Sequence, residues 1–141
     1  MAQKSIEDIE KELIDNFSLF DNWDEKYEYL IELGQALPPM DPALKTDERL
    51  VHGCQSSVWF DIHCIDGRIN FSVDSDSLIV RGLVSILYQL LNDQTAELVL
   101  TADMHIYEDL GLWHHISSQR SNGLNAVMAH LKQAAADCIG K

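Results

Sequence analysis

With 141 residues, 46% of them hydrophobic, the chain suits one folded domain with a sizeable core, expected to span residues 1–141. Ten basic against 23 acidic side chains give a formal net charge of −13, which repels phosphate backbones and anionic lipid and argues against nucleic acid and membrane surfaces as partners. The N-terminus shows no apolar signal region, and the best apolar run, Leu83 to Leu91, is too short to span a bilayer and contains Gln89.

Ser5 is placed to cap a first helix, along which Ile6, Ile9, Leu13, Phe17 and Phe20 recur at helical spacing and make one apolar face. Asn22 with Glu25 resembles a capping box for a second helix whose face carries Trp23, Tyr27, Leu30, Ile31 and Gly34, and Pro38-Pro39 ends it. Residues 40–49 read as a polar connection without clear structure. Val58 to Ile65 alternates, with Val58, Phe60, Ile62 and Cys64 on one side and Trp59, Asp61 and His63 on the other, the pattern of a half-buried strand. Asp66-Gly67 is a two-residue hairpin signal, and Ile69, Phe71 and Val73 continue the apolar face on the return strand. Val51 is a candidate for a third strand leading into the segment that holds Cys54.

Asp74-Ser75-Asp76-Ser77 reads as the start of a helix over about 78–91, apolar nearly all round and therefore central. Gly82 within it is expected to be a close-packing position against the sheet, since glycine there costs roughly 1 kcal/mol relative to alanine. Arg81 in this apolar helix either reaches the surface or pairs with an acid. Residues 94–113 suggest one or two short helices. Ser118 or Ser121 starts the last helix, with Leu124, Val127, Met128, Leu131, Ala135 and Cys138 on its inner face. These elements predict an α+β fold: a small antiparallel sheet packed against a helical layer.

The chain has three cysteines, Cys54, Cys64 and Cys138, an odd number without a secretory segment, which predicts a cytoplasmic location and free thiols. Cys64 falls on the apolar strand face and Cys138 on the apolar helix face, so both are expected to pack. Cys54 differs. It lies in Val51-His52-Gly53-Cys54-Gln55-Ser56-Ser57, where the local chain offers no apolar neighbours, and so reads as a loop thiol. As a nucleophile it needs a thiolate, and His52 is the nearest candidate activator, though an ordinary loop histidine by itself. The histidines at 52, 63, 105, 114, 115 and 130 form no finger-like pair with a cysteine, and Gly82, Gly111 and Gly123 stand alone, so neither a metal nor a phosphate-bearing cofactor is expected.

Four ordered segments carry a family resemblance. They are Asn22-Trp23-Asp24-Glu25-Lys26-Tyr27 through Gly34, Gly53-Cys54-Gln55-Ser56 through Trp59, Asp74-Ser75-Asp76 through Leu83, and Ser118-Gln119-Arg120-Ser121-Asn122-Gly123-Leu124. Together they resemble the SufE family of sulfur-acceptor proteins, which includes CsdE, and Gln55-Ser56 is more similar to the SufE branch. The resemblance implies a fold like that of the IscU scaffolds without their cluster-ligating cysteines. It also implies a partner, a pyridoxal-phosphate cysteine desulfurase of the SufS or CsdA type, whose persulfide sulfur passes to Cys54 and onward to an iron–sulfur scaffold. Arg120, at a helix start where a cation opposes the dipole, is implied to favour the thiolate or engage the desulfurase, with Asp74, His52 and Gln55 around it. An iron–sulfur or metal-binding scaffold and a non-covalent desulfurase regulator are the alternatives.

Overall fold

The computed structural model describes residues 6–51, 57–102, 105–112 and 118–140, with the side chains of 118–123 outside that description. The predicted apolar stripe forms helix α1, Ile6–Phe17, which buries Leu13 and Phe17. Helix α2, Trp23–Gln35, begins where the capping signal lies: the Asn22 side-chain oxygen accepts the Glu25 N–H at 2.9 Å. It buries Leu30 and Gly34. The polar connection is more ordered than expected, with single 3-10 turns at Pro42–Leu44 and Asp47–Arg49, the first capped by Asp41.

Strands β1, Val58–Ile65, and β2, Arg68–Ser75, form the predicted hairpin, running in register from Val58 opposite Ser75 to Ile65 opposite Arg68. Asp66 and Gly67 both take positive φ, 52° and 76°, the type I′ geometry that matches strand twist. The third strand is not the one expected. It is β3, Gln94–Thr95, which pairs with Arg68 and Ile69 on the far side of β2. Among the described residues Val51 joins through its N–H to the Val58 carbonyl beside a bridge at Leu50–Trp59, because the turn at Asp47–Arg49 keeps the chain before Leu50 out of extended pairing.

Helix α3, Leu78–Leu91, is the central helix, with Ser77 as its cap, and Leu83, Val84, Ile86, Leu87, Leu90 and Leu91 are all buried. Helices α4, Ala96–Thr101, and α5, Ile106–Asp109, fill the stretch read as short helices, and α6, Ser118–Ile139, closes the chain. Phe60, Ile69, Phe71 and Val73 from the sheet share one hydrophobic cluster with Leu30, Leu87 and Leu131 from the helices. Among the described residues no helix is long and apolar enough to cross a membrane.

Two packing expectations change. Gly82 packs against α2, not the sheet: a Cβ there would overlap the Leu30 carbonyl oxygen and come within 2.7 Å of Leu30 Cγ. Gly34 faces it from α2, where an added Cβ would lie 2.8 Å from the Gly82 nitrogen. Cys64, in turn, is exposed, because β1 runs out beyond the helical cover and its last three residues face solvent. Nor is it a free thiol. It is bonded to Cys138 on α6, with a Cα–Cα distance of 5.7 Å and 74 residues between them in sequence. On a chain-entropy account, closing a loop of that length stabilises the fold by about 4 kcal/mol.

Tyr107 anchors α5 to α3. It is fully buried and its hydroxyl donates to the Leu83 carbonyl at 2.7 Å. Burial pushes its ionisation well above the ordinary tyrosine range, so the hydroxyl stays a donor at any working pH. Tyr107→Phe is expected to cost about 1 kcal/mol, at the low end for a buried hydrogen bond, because a carbonyl inside a helix keeps a backbone partner. Urea unfolding with an unchanged midpoint would contradict this.

Candidate functional site

His52, Cys54 and Gln55 lie outside the described residues, but both stems of their loop are described and tied down. On the entering side the Val51 N–H donates to the Val58 carbonyl at 2.8 Å. On the leaving side the Ser57 N–H donates to Asp76 Oδ1 at 3.1 Å, and the Asp76 N–H returns to the Ser57 carbonyl at 3.3 Å. Asp76 therefore braces the loop stem instead of capping α3, a task left to Ser77. Cys54 is three positions in sequence from each of the stem residues, Val51 and Ser57.

Asp74 sits beside these stems, opposite Trp59 in the β1–β2 ladder. The helix-start reading of Asp74 is replaced by a different role. It is 5% exposed at the end of β2, and its carboxylate gathers two cations: Lys45 Nζ at 2.7 Å from Oδ2 and Arg81 Nε at 2.9 Å from Oδ1. The Ser75 N–H adds a hydrogen bond to Oδ1 at 2.8 Å. The Arg81 contact is an ion pair by distance without a well-directed hydrogen bond from Nε, so Lys45 is the better-formed partner. Lys45 Nζ also lies 5.5 Å from the centre of the Trp59 ring. One buried carboxylate thus joins the segment before the loop, the end of β2 and the first turn of α3. Arg81 meets the second of the two outcomes expected for it, pairing with an acid.

Sequence reasoning missed Lys45, which lies in a connection read as unstructured, and Asp76 as a brace. Neither contact leaves a periodic trace, since each joins residues 19 to 29 positions apart. Leu78, in the first turn of α3, is 55% exposed and offers an apolar contact beside the same stem. Arg120 lies in the first turn of α6 by its backbone, and its side chain is outside the described residues.

Among the described residues, Glu10, His105 and Asp109 are close enough to share an ion, but they lie on α1 and at α5, and Asp109 already pairs with His105 Nδ1 at 2.6 Å. On the outer edge of β1, Asp61 pairs with Arg49 Nε at 3.1 Å and with His63 Nε2 at 2.8 Å. Burial pushes the Asp61 carboxyl up, but the hydrogen bonds and charges of His63 and Arg49 outweigh it and hold the carboxyl below the usual range.

Comparison with known proteins agrees with this architecture. The family model for SufE, described as an Fe-S metabolism associated domain, matches residues 11–135. An uncharacterized SufE-like protein of Rhizobium meliloti (strain 1021) is 38% identical over 129 residues, covering 88% of this chain and 92% of that one. The solution structure of a hypothetical protein from Thermus thermophilus superposes with a TM-score of 0.75 over 94% of this chain and 97% of that one, at 19% identity, a likeness of fold alone.

Proposed function

This chain belongs to the SufE family, whose domain is associated with iron–sulfur metabolism, and on that premise we propose that it is a covalent sulfur carrier loaded at Cys54. The donor is a pyridoxal-phosphate cysteine desulfurase of the SufS or CsdA type, carrying a persulfide on its own cysteine. The Cys54 thiolate attacks the outer sulfur of that persulfide. A new S–S bond forms on Cys54, the old one breaks, and its electron pair leaves on the desulfurase cysteine as a thiolate. No electrons are gained or lost overall, so no cofactor is needed on this chain. The sulfur then goes to an iron–sulfur scaffold. A cytoplasmic location goes with this reading.

The observation that carries it is the pairing of the other two cysteines. With Cys64 bonded to Cys138, Cys54 is the remaining thiol of the chain, and it lies on a short loop whose two ends are fastened to the sheet. A glycine before it allows the loop a close approach to a partner's backbone. One remaining thiol suits a carrier and counts against a cluster scaffold, which draws on several thiolates. Asp74 serves by fixing the end of β2, next to the Asp76 that holds the leaving stem, to Lys45 and Arg81. Arg120, His52 and Gln55 are assigned to favouring the thiolate or contacting the desulfurase.

The test is desulfurase turnover, measured as sulfide released in the presence of a reductant. Wild-type protein is expected to stimulate it and Cys54→Ala to remove that stimulation. Stimulation that survives Cys54→Ala would replace the carrier with a non-covalent regulator.

A further inference from the structure

The Cys64–Cys138 bond lies at the opposite end of β1 from the described stem at Val58. Cys64 is six positions along the extended strand from Val58 at the stem, a span of about 20 Å. The bond therefore belongs to a different part of the molecule.

Its surroundings are thinly packed. A cleft of about 330 Å³ lies between β1 and α6, walled by Phe60, Asp61 and Ile62 on one side and His130, Gln133 and Asp137 on the other. Across it Phe60 meets His130 with ring centres 5.9 Å apart and planes tilted, above the cluster that Phe60 shares with Leu131. The cleft is open and lined about equally by polar and apolar groups, and the disulfide links β1 and α6, the two elements that wall it. On the last turns of α6 the buried residues are Ala135 and Cys138, and the disulfide adds a covalent link from there to β1. The two sulfurs are also unequally placed. Cys138 is 7% exposed, whereas Cys64 belongs to the exposed end of its strand, within reach of a small thiol.

We infer that Cys64 and Cys138 form a reversible dithiol–disulfide site that sets how firmly the C-terminal half of α6 is held to β1. The inference rests on the cytoplasmic reading above, because disulfides that form in reducing compartments are characteristically transient or redox-sensing. The partner in the exchange is a cellular monothiol such as glutathione. Its thiolate attacks the exposed Cys64 sulfur, making a mixed disulfide there and releasing Cys138 as a thiolate. A second monothiol attacks the mixed disulfide on its glutathione sulfur, forming glutathione disulfide and freeing Cys64. Two electrons enter the protein, and the two thiolates take up two protons. Oxidation by glutathione disulfide runs the same steps in reverse. In the reduced state α6 keeps its packing on α4, with the Lys132 ammonium donating to the Ala102 carbonyl at 2.8 Å, and loses its covalent tether to β1.

The test equilibrates the full chain, without desulfurase, in buffers of varied glutathione to glutathione disulfide ratio. Alkylation and mass measurement count the thiols, and hydrogen exchange reads the backbone. Cys64 and Cys138 are expected to titrate together within the buffered range while α6 amides over 127–139 and β1 amides over 60–65 exchange several-fold faster on reduction. Amides of α2 should not change. Cys64→Ser should exchange like the reduced protein in every buffer. A bond that survives a large excess of reduced glutathione in the native protein, a pair that never forms, or reduction that leaves α6 exchange unchanged would each overturn the inference. Cys54→Ser is expected to leave the titration where it was. Failure of Cys54 to take sulfur, with an intact titration, therefore counts against the carrier alone.

Discussion

Gly82→Ala is expected to destabilise the fold by about 3 kcal/mol, against the direction of helix propensity. Two effects compete. Alanine is favoured over glycine inside a helix by about 1 kcal/mol. Against that, the new Cβ would overlap the Leu30 carbonyl oxygen and press on Leu30 Cγ at 2.7 Å. A flexible side-chain tip could turn away, but a backbone carbonyl within α2 moves only if the helix moves. Overpacking of that kind costs roughly 1–3 kcal/mol and sometimes more, and the backbone contact puts this site at the upper end. Gly34→Ala should behave alike, since its Cβ would meet the backbone of Gly82 and Arg81 from the other side. The consequence reaches the candidate site, because pushing α2 from α3 displaces Arg81, which pairs with Asp74. Thermal unfolding should show a midpoint lower by about 8 °C or more. An unchanged or raised midpoint would mean that the helices do not meet as closely as described.

The second large effect is expected at Asp74. Its carboxylate is buried, but Lys45 and Arg81 keep 31% and 27% of their side chains exposed and can recover hydration when the acid is removed. Breaking a fully buried pair costs about 3–5 kcal/mol, and the exposure of both cations brings the expected loss for Asp74→Ala down to about 2 kcal/mol. Asp74→Asn, which keeps an acceptor for Lys45 and the Ser75 N–H, should lose about half of that. On the proposed function both variants also lower stimulation of the desulfurase several-fold, because the acid fixes Lys45, ahead of the Cys54 loop, and Arg81 on α3 to the end of β2, next to the Asp76 that holds the leaving stem. The two readouts separate the roles. If Asp74→Asn were as stable as expected yet stimulated fully, Asp74 would be a structural residue with no part in positioning the loop.

What was legible in the chain was whatever depends on neighbours close in sequence. Asn22 with Glu25 is visible as a cap because donor and acceptor are three residues apart, and it forms as read. Asp66-Gly67 is visible as a turn because positive φ restricts the residues that can stand there. The long stripes of α3 and α6 are visible because their period repeats over several turns. The misreadings all involve partners distant in sequence. Nothing at Gly82 says whether a sheet or a helix comes close, and it is α2 that does. Gln94 and Thr95 are too short a run to announce a strand, whereas Val51, in better strand company, makes only a bridge. Asp74 looks like a helix start because acids favour that position, and its two cations come from 29 residues before and 7 residues after it.

Cys64 illustrates the same limit in the sheet. Alternation assigns it to the apolar face, and alternation is obeyed, but a face is buried only where a helix covers it. At the end of β1 the cover is missing and Cys138 supplies a covalent contact in its place. The candidate site was read from ordered motifs, not from geometry: Gly53-Cys54-Gln55-Ser56 points to the loop, and the match over residues 11–135 gives the family. The bracing of that loop by Asp76 and the gathering of charge at Asp74 emerge only when β2 is laid beside β1.

The most direct measurement incubates the full chain with a pyridoxal-phosphate cysteine desulfurase and cysteine, then weighs it intact without reductant. The expected product is heavier than the starting protein by one or more sulfur atoms, with fragmentation placing them on Cys54, and Cys54→Ser gains nothing. Sulfur found on Cys64 or Cys138, or a chain that leaves a loaded desulfurase at its original mass, would contradict the account.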